Sequence, residues 1–188
     1  MQFQMPKSMK ITGRSSSITN AFFNGIIPSI EPTKEQIKKV LEILNIDENN
    51  LSCSYCGDKA TEWDHFRPLI INKKPTGYIT EIHNLVPCCG KCNQSKGNKD
   101  WNEWINSSAK LSPKNRNVKN LEDKIRRLNN FDKWEKPIKI KDFEVVVGKT
   151  LWEQHNKNLN EIQDKMKEYQ KNADEIKKKL EENIKNIA

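Results

Sequence analysis

Apolar residues near the N-terminus recur with a helical period. Over residues 33–45, isoleucine, valine and leucine lie at positions i, i+3, i+4 and i+7, the spacing of an amphipathic α-helix. Thr33 and Gln36 have the spacing of a capping box, which marks a helix start. Residues 18–30 form a second apolar stretch behind a polar arm, residues 1–17. We expect both stretches to form a small helical layer that packs on the next segment.

The C-terminal segment has an apolar repeat in which spacings of three and four residues alternate. This seam of about four heptads predicts one long helix over roughly residues 150–186. Acidic and basic residues nearly balance along it, so the basic excess of the chain lies elsewhere. The seam alone leaves two interpretations open: a contact with a second copy, or a strut on the rest of the chain. We take the dimer contact as the working hypothesis. The seam residues are Trp152, His155, Leu159, Ile162, Met166, Tyr169, Ala173, Ile176 and Leu180.

The region between these helices has weaker patterns. Residues 106–120 are rich in serine, asparagine and lysine and predict a linker, and residues 121–128 predict a short basic helix. The run Phe143–Val147, which precedes Gly148, predicts a β-strand because it is rich in β-branched residues. We therefore divide the chain into four segments: 1–50 with the arm and helices, 51–105 with the cysteines, 106–149 with the linker, short helix and strand, and 150–188 with the long helix.

Composition narrows the class of protein. The 33 basic and 25 acidic residues give a net charge of +8, and the mean hydropathy is −0.88. A basic balance favours a polyanionic partner, because neutralised phosphates release counterions. No apolar run approaches the ~20 residues of a membrane span, and the N-terminus has no apolar core of a signal peptide. We expect a soluble, cytoplasmic protein without a membrane partner.

Five cysteines lie within 40 residues of one another. An odd number, without a secretion signal, argues against a disulfide framework. Cys53 with Cys56, and Cys89 with Cys92, form two CxxC knuckles separated by 32 residues. Two such turns supply the four thiolates of a closed, structural zinc site. Cys88 is the spare thiol, because its spacing to Cys92 fits a knuckle less well.

The same region contains a carboxylate, an imidazole and two amides at separated positions. Asp64 directly precedes His65, and Asn84 and Asn93 follow. Hydrolysis of a phosphodiester needs a base that activates water and a divalent cation that stabilises the developing charge. Carboxylate and amide oxygens suit Mg²⁺, and histidine suits a general base near neutral pH. The set therefore predicts metal-dependent phosphodiester chemistry.

This arrangement resembles the HNH endonuclease family, in which a β-hairpin and a helix grip the phosphodiester. Zinc-containing members place one CxxC before the Asp-His pair and the other just before the last motif residue, as this sequence does. The resemblance implies that His65 is the general base and that Asn84 orients the loop carrying it. It also implies that Asp64 and Asn93 hold one Mg²⁺ or Mn²⁺. Many members have histidine at the last position, where this sequence has Asn93. The motif therefore reads H-N-N.

The resemblance implies an α+β fold over residues 51–105: a ββα-metal core stapled by structural zinc. The N-terminal helical layer and the long C-terminal heptad helix lie outside it. His83 has no adjacent carboxylate in sequence, so we expect packing or a DNA contact from it. Tryptophans 63, 101 and 104 are expected in the core of the module. Four nearby basic residues predict phosphate contacts: Arg67, Lys91, Lys96 and Lys99.

These observations predict a metal-dependent endonuclease that hydrolyses phosphodiester bonds in duplex DNA. Similarity to small bacterial HNH proteins of restriction and phage-defence loci favours a sequence-specific, type II restriction-type enzyme that acts as a homodimer through its C-terminal helix. A cognate methyltransferase or a defence partner would then accompany it. Two alternatives stay open: a less specific effector nuclease of a phage-defence system that needs a partner protein, and a zinc-stapled DNA-binding protein without catalysis.

Overall fold

The computed structural model describes residues 3–187, and the side chains of residues 3–185. Residues 1, 2 and 188 lie outside this described part, and with them the outermost portions of the predicted arm and long helix. The chain divides into two compact units. The larger contains residues Ile26–Asp142, so it joins the predicted segment 51–105 with residues on both sides of it. The smaller contains the residues up to Gly25 and those from Phe143 onwards.

The described residues form seven α-helices, four short β-strands and two 3₁₀ helices. The α-helices are α1 (Ser15–Asn24), α2 (Lys34–Leu44), α3 (Gly90–Lys96), α4 (Trp101–Ile105), α5 (Leu121–Trp134), α6 (Phe143–Val147) and α7 (Lys149–Ile187). The strands are β1 (Glu62–His65), β2 (Ile70–Ile71), β3 (Lys74–Pro75) and β4 (Leu85–Cys88). The 3₁₀ helices are Ile11–Arg14 and Ile82–Asn84.

Helix α2 confirms the amphipathic helix predicted for this region. The Thr33 hydroxyl accepts a hydrogen bond from the Gln36 backbone N–H at 3.2 Å, and the Gln36 side chain accepts one from the Thr33 N–H at 2.9 Å. Both bonds of a capping box are thus present. The apolar face, which includes Val40 and Leu44, is buried and α2 packs on α5. Asn45 ends the helix in the left-handed conformation.

Strands β1 and β4 pair antiparallel, and α3 follows β4 directly. Asp64 lies opposite Val86, and His65 lies opposite Leu85. Strands β2 and β3 form a separate hairpin. The pair β1–β4 with α3 confirms the predicted mixed architecture of a small sheet and helices. This arrangement places the end of β1 next to the helix that begins at the second CxxC knuckle.

Aromatic residues fill the core of the larger unit. The Phe66 ring stacks on Trp101 at 5.0 Å and meets Phe131 edge-on at 5.1 Å between centroids. Tyr55 meets Trp104 edge-on at 5.2 Å. Such pairs contribute about 0.5–1.5 kcal/mol each beyond their buried area. The core positions predicted for two tryptophans, 101 and 104, are confirmed, and Trp63 is half-buried against the same core.

In the smaller unit, the 39-residue helix α7 confirms the long helix predicted from the heptad seam. The seam residues Leu159 and Met166 are buried. Beside them, α7 contacts the chain's own N-terminal segment: the Gln170 side chain accepts a hydrogen bond from the Ile11 N–H at 2.6 Å, and Gln163 donates to Thr19 at 2.9 Å. Other seam residues, Ile162, Tyr169 and Ile176, are exposed. None of the helices in the described part of the chain has the length and apolarity that crossing a bilayer requires.

The strand predicted over Phe143–Val147 is wrong, because these residues form helix α6. Phe143 is buried and stacks on Trp152 of α7 at 5.8 Å. Gly148, with a φ of +88°, allows the turn into α7. Val145 and Val146 are 79% and 70% exposed. A preference for strands reflects packing on a pleated surface, and here the packing partner of the segment is a helix.

Candidate active site and metal centre

The four knuckle cysteines lie together in the larger unit. The Sγ atoms of Cys53, Cys56, Cys89 and Cys92 all lie within 4.8 Å of one another, and those of Cys56 and Cys89 are 3.7 Å apart. Zinc–sulfur bonds of about 2.3 Å place tetrahedral sulfurs roughly 3.8 Å apart. The four sulfur atoms and the distances between them therefore fit a metal ion that is bound by four thiolates. The spare thiol, Cys88, is buried 4.0 Å from the Cys53 Sγ.

Each knuckle is formed by local backbone geometry. In the first, the Gly57 N–H donates to the Cys53 carbonyl at 2.8 Å, and Gly57 has a φ of +84° that favours glycine. The second coincides with the start of α3, where the Cys92 N–H donates to the Cys89 carbonyl at 3.0 Å. The tight turns aim the two thiols of each knuckle at one point.

Arg116 is a neighbour of this centre that sequence analysis did not identify. One guanidinium nitrogen donates to the Cys92 Sγ at 3.5 Å, and another to the Asp58 carboxylate at 3.0 Å. A divalent ion with four thiolates has a net charge near −2, which a guanidinium offsets. Arg116 lies in the stretch predicted as a linker, 24 residues from Cys92, so no local motif could have revealed the contact.

Asp64 is buried on β1 and paired with Lys96 of α3. Its Oδ2 lies 3.0 Å from the Lys96 Nζ and accepts a hydrogen bond from the Tyr55 hydroxyl at 2.7 Å. The exposed fractions of Asp64 and Lys96 are 4% and 1%. Burial raises the pKa of Asp64, and the Lys96 charge opposes that shift. Lys96 also donates to the His65 carbonyl at 2.8 Å; it therefore fastens α3 to β1.

The predicted phosphate contact of Lys96 is wrong. Its ammonium group is buried and bonded to Asp64 and to backbone carbonyls, so it has no access to a bound polyanion. The other basic residues lie at the surface or partly so. Lys91 and Lys99 are exposed, and Arg67 forms an ion pair with Asp132. Their phosphate contacts stay predictions.

His65 ends β1, with its ring against Thr80. The Nε2 atom lies 2.9 Å from the Thr80 hydroxyl oxygen. Burial lowers the pKa of His65 to about 4, and the positive charge of Lys96 acts in the same direction. The imidazole is therefore neutral at neutral pH, which is the form that accepts a proton. Thr80 carries no motif signal in the sequence, and only the fold brings it to His65.

Asn84 fastens the loop that follows His65. Its side-chain oxygen accepts from the Arg67 N–H at 2.8 Å, and its nitrogen donates to the Arg67 carbonyl at 3.1 Å. Its own backbone carbonyl accepts from the Phe66 N–H at 2.8 Å. Asn84 is fully buried. These bonds suit the orienting role that the resemblance implies for it.

His83 lies between two carboxylates. Its Nδ1 is 2.7 Å from Glu81 and its Nε2 is 3.1 Å from Glu135, while its ring lies 4.7 Å from that of Trp134. Both ring nitrogens are thus used within the protein. This position suits the packing role expected of His83.

Asn93 lies on the β1 side of α3 and contacts Glu62. The Asn93 Nδ2 donates to the Glu62 Oε2 at 2.9 Å. Glu62 and Asp64 lie on one face of β1, because residues i and i+2 of a strand share a face. On α3, Asn93 precedes Lys96 by one turn, so the Glu62–Asn93 and Asp64–Lys96 contacts follow each other along the junction of β1 and α3. The carboxylate of Asp64 and the amide oxygen of Asn93 are hard donors, and donors of this kind suit Mg²⁺ or Mn²⁺.

Residues 53–99 match the family described as HNH endonuclease. This segment is an HNH endonuclease domain. The comparison confirms the resemblance over the region that contains the four cysteines, His65 and the two asparagines of the motif. The match covers about a quarter of the chain, and the parts on either side of it lie outside the family's pattern.

One curated relative matches part of the chain. The chain is 33% identical over 69 residues to a CRISPR-associated endonuclease Cas9 of Corynebacterium diphtheriae (strain ATCC 700971 / NCTC 13129 / Biotype gravis). The alignment covers 35% of this chain and 6% of that protein, so the chain matches only a small part of its relative. No solved structure matches the chain significantly.

Proposed function

We propose that this chain is a metal-dependent endonuclease that hydrolyses phosphodiester bonds in duplex DNA. The observation that carries this proposal is the junction of β1 and α3 in the HNH domain. There a neutral His65 lies beside Asp64, and Asn93 lies on the facing helix next to the four-cysteine centre. A net charge of +8 favours a polyanionic substrate.

We assign the ions by the chemistry of their donors. The four thiols would hold Zn²⁺ as a closed structural site. The oxygens of Asp64 and Asn93 would hold Mg²⁺ or Mn²⁺, which supplies Lewis-acid stabilisation of the charge that develops on the phosphate.

The residues of the chain then have defined roles. If the Nε2–H of His65 donates to Thr80, the lone pair on Nδ1 is left to take a proton from water. The oxygen of that water attacks phosphorus as the bond to the leaving oxygen breaks. Asn84 holds the loop beyond His65, and Arg67, Lys91 and Lys99 contact neighbouring phosphates.

The proposed enzyme is sequence-specific and of the type II restriction kind. A homodimer would cut both strands of a palindromic site, because a two-fold interface requires a symmetric site. The exposed side of the α7 seam, around Ile162 and Tyr169, offers an apolar surface for this contact. The same surface also suits a partner protein, which keeps an effector nuclease of a defence system as the second candidate.

The deciding experiment is a digest of long, unmodified duplex DNA with purified protein and Mg²⁺, with His65→Ala and EDTA as controls. Discrete fragments that disappear in both controls would support the sequence-specific enzyme. A smear that disappears in both would favour the effector nuclease. Salt-sensitive binding without cleavage, unchanged by His65→Ala, would favour a zinc-stapled DNA-binding protein and contradict the proposal.

A further inference from the structure

Glu62 is an acidic residue at the candidate active site that the H-N-N motif does not include. It begins β1, two residues before Asp64, and its Oε2 accepts the 2.9 Å hydrogen bond from the Asn93 Nδ2. Its other oxygen, Oε1, lies only 3.2 Å from the place where a Cβ on Gly90 would be. The glycine at the start of α3 therefore leaves room for the Glu62 carboxylate against the helix.

The chemistry of an amide makes this contact important. The two ends of an asparagine side chain have nearly the same shape, but only the oxygen binds a cation and only the nitrogen donates hydrogen bonds. A carboxylate is purely an acceptor, so it bonds to the Nδ2 end and repels the Oδ1 end. Glu62 thus selects one of the two orientations of the Asn93 amide.

We propose that Glu62 is a positioning residue that holds the Asn93 amide with its oxygen free for the cation beside Asp64. The inference rests on the proposed function, in which Asp64 and Asn93 hold Mg²⁺ or Mn²⁺. Glu62 acts through Asn93 and does not itself contact the ion. Without it, the amide would also adopt the flipped orientation, in which the NH₂ group faces the cation.

Two substitutions of Glu62 test this role. Glu62→Ala removes the acceptor, and Glu62→Gln replaces it with an amide that can either accept from the Asn93 Nδ2 or donate to its Oδ1, so neither variant selects one orientation of Asn93. If Glu62 were a direct ligand, loss of its charged oxygen would weaken binding whatever residue stood at position 93. The decisive background is Asn93→Asp, because both ends of that side chain are oxygens and its orientation no longer matters.

The experiment measures binding of Mn²⁺ to the purified full chain by electron paramagnetic resonance. We expect Glu62→Ala to weaken binding by about tenfold, the size of effect typical of an outer residue that orients a ligand. Glu62→Gln should also weaken binding, because its amide side chain does not select the orientation of Asn93. In the Asn93→Asp background, Glu62→Ala should not weaken binding. Glu103→Ala, which removes another exposed carboxylate of the same unit, is the matched control. The zinc content and the thermal unfolding of each variant show whether its fold is intact.

Three results would overturn the inference. Equal weakening by Glu62→Ala in the wild-type and Asn93→Asp backgrounds would indicate direct ligation by Glu62 or a general structural or charge effect. If the Glu62→Ala variant binds Mn²⁺ as tightly as wild type, Glu62 has no positioning role, and the proposed function is unaffected. If the wild-type chain neither binds Mn²⁺ nor cleaves DNA, the proposed function is overturned as well.

Discussion

The four-cysteine centre and the candidate catalytic centre meet on helix α3, at the adjacent residues Cys92 and Asn93. The cysteine centre is made entirely of residues that two CxxC knuckles supply, and the four sulfurs already lie within 4.8 Å of one another. The catalytic centre is different. Asp64, His65 and Asn93 are each bonded to another side chain: to Lys96, Thr80 and Glu62, respectively.

This difference separates two ways of building a site. Two tight turns fix the metal centre locally, so the sequence motif contains almost all of its geometry. The candidate catalytic residues come from a strand and a helix that pack together, so their positions depend on contacts across the junction of β1 and α3. We therefore expect loss of a cysteine to affect the whole unit, and loss of a supporting residue to affect one function at a time.

Removal of the metal ion should have the largest effect. Structural zinc contributes roughly 10–16 kcal/mol to the folding of small zinc domains, and Cys53 lies in the core of the larger unit. We expect Cys53→Ser, or treatment with a strong chelator, to abolish cooperative unfolding of the unit. Circular dichroism during thermal unfolding, with metal content measured by mass spectrometry, tests this. Cys88→Ala is the control and should keep the metal; retention of a cooperative transition by Cys53→Ser would contradict the prediction.

Replacement of Lys96 should have the next largest effect. Lys96→Met leaves the buried Asp64 carboxylate without its cation, and breaking a buried pair from one side costs about 3–5 kcal/mol. Urea unfolding should show this loss in the free energy of unfolding. The double variant Asp64→Asn/Lys96→Met removes both charges and should recover part of it. Lys99→Met, at an exposed lysine nearby, should change stability little; a similar loss there would contradict the role of the ion pair.

Local patterns in the sequence predicted the elements that are fixed by nearby residues. The capping box at Thr33 and Gln36, the two knuckles and the long helix α7 all follow from spacings within one segment. The strand predicted over Phe143–Val147 is wrong for the converse reason. Its valines favour a strand locally, but Phe143 docks on Trp152 of α7, and this tertiary contact is absent from the local pattern.

The same reasoning explains which site residues were missed. Glu62, Thr80 and Arg116 contact Asn93, His65 and Cys92 across 31, 15 and 24 residues of sequence, respectively. No motif encodes these pairings, since they arise only when strand, helix and loop pack together. The basic character of Lys96 predicted a phosphate contact, but its depth in the unit could not be read from its neighbours in sequence.

A smaller effect on the free energy of unfolding should follow from the protonation of His65. Its folded-state pKa of about 4 lies below the ordinary value of 6.5, so the unfolded chain binds the proton more readily. Between about pH 6.5 and 4 this residue should therefore make the free energy of unfolding fall as the pH falls. Urea unfolding of wild type and His65→Gln at several pH values tests this. The difference between the two proteins should change across this window and level off above it, by about pH 7.5; a constant difference throughout would contradict the lowered pKa.

The smallest effect should follow from Arg116, which supports the cysteine centre from outside the motif. Loss of the guanidinium next to the Cys92 sulfur leaves the negative charge of the thiolates less well offset, and changes at such outer residues typically reduce metal affinity by about 10–100-fold. We expect Arg116→Ala to keep the fold but to lose zinc to a chromogenic chelator faster than wild type, with Arg116→Lys between the two. Arg126→Ala, which removes a surface ion pair with Asp123, should release zinc at the wild-type rate. If Arg116→Ala also released zinc at that rate, the cysteine centre would depend on its four ligands alone, and the contrast with the catalytic centre would be sharper than proposed.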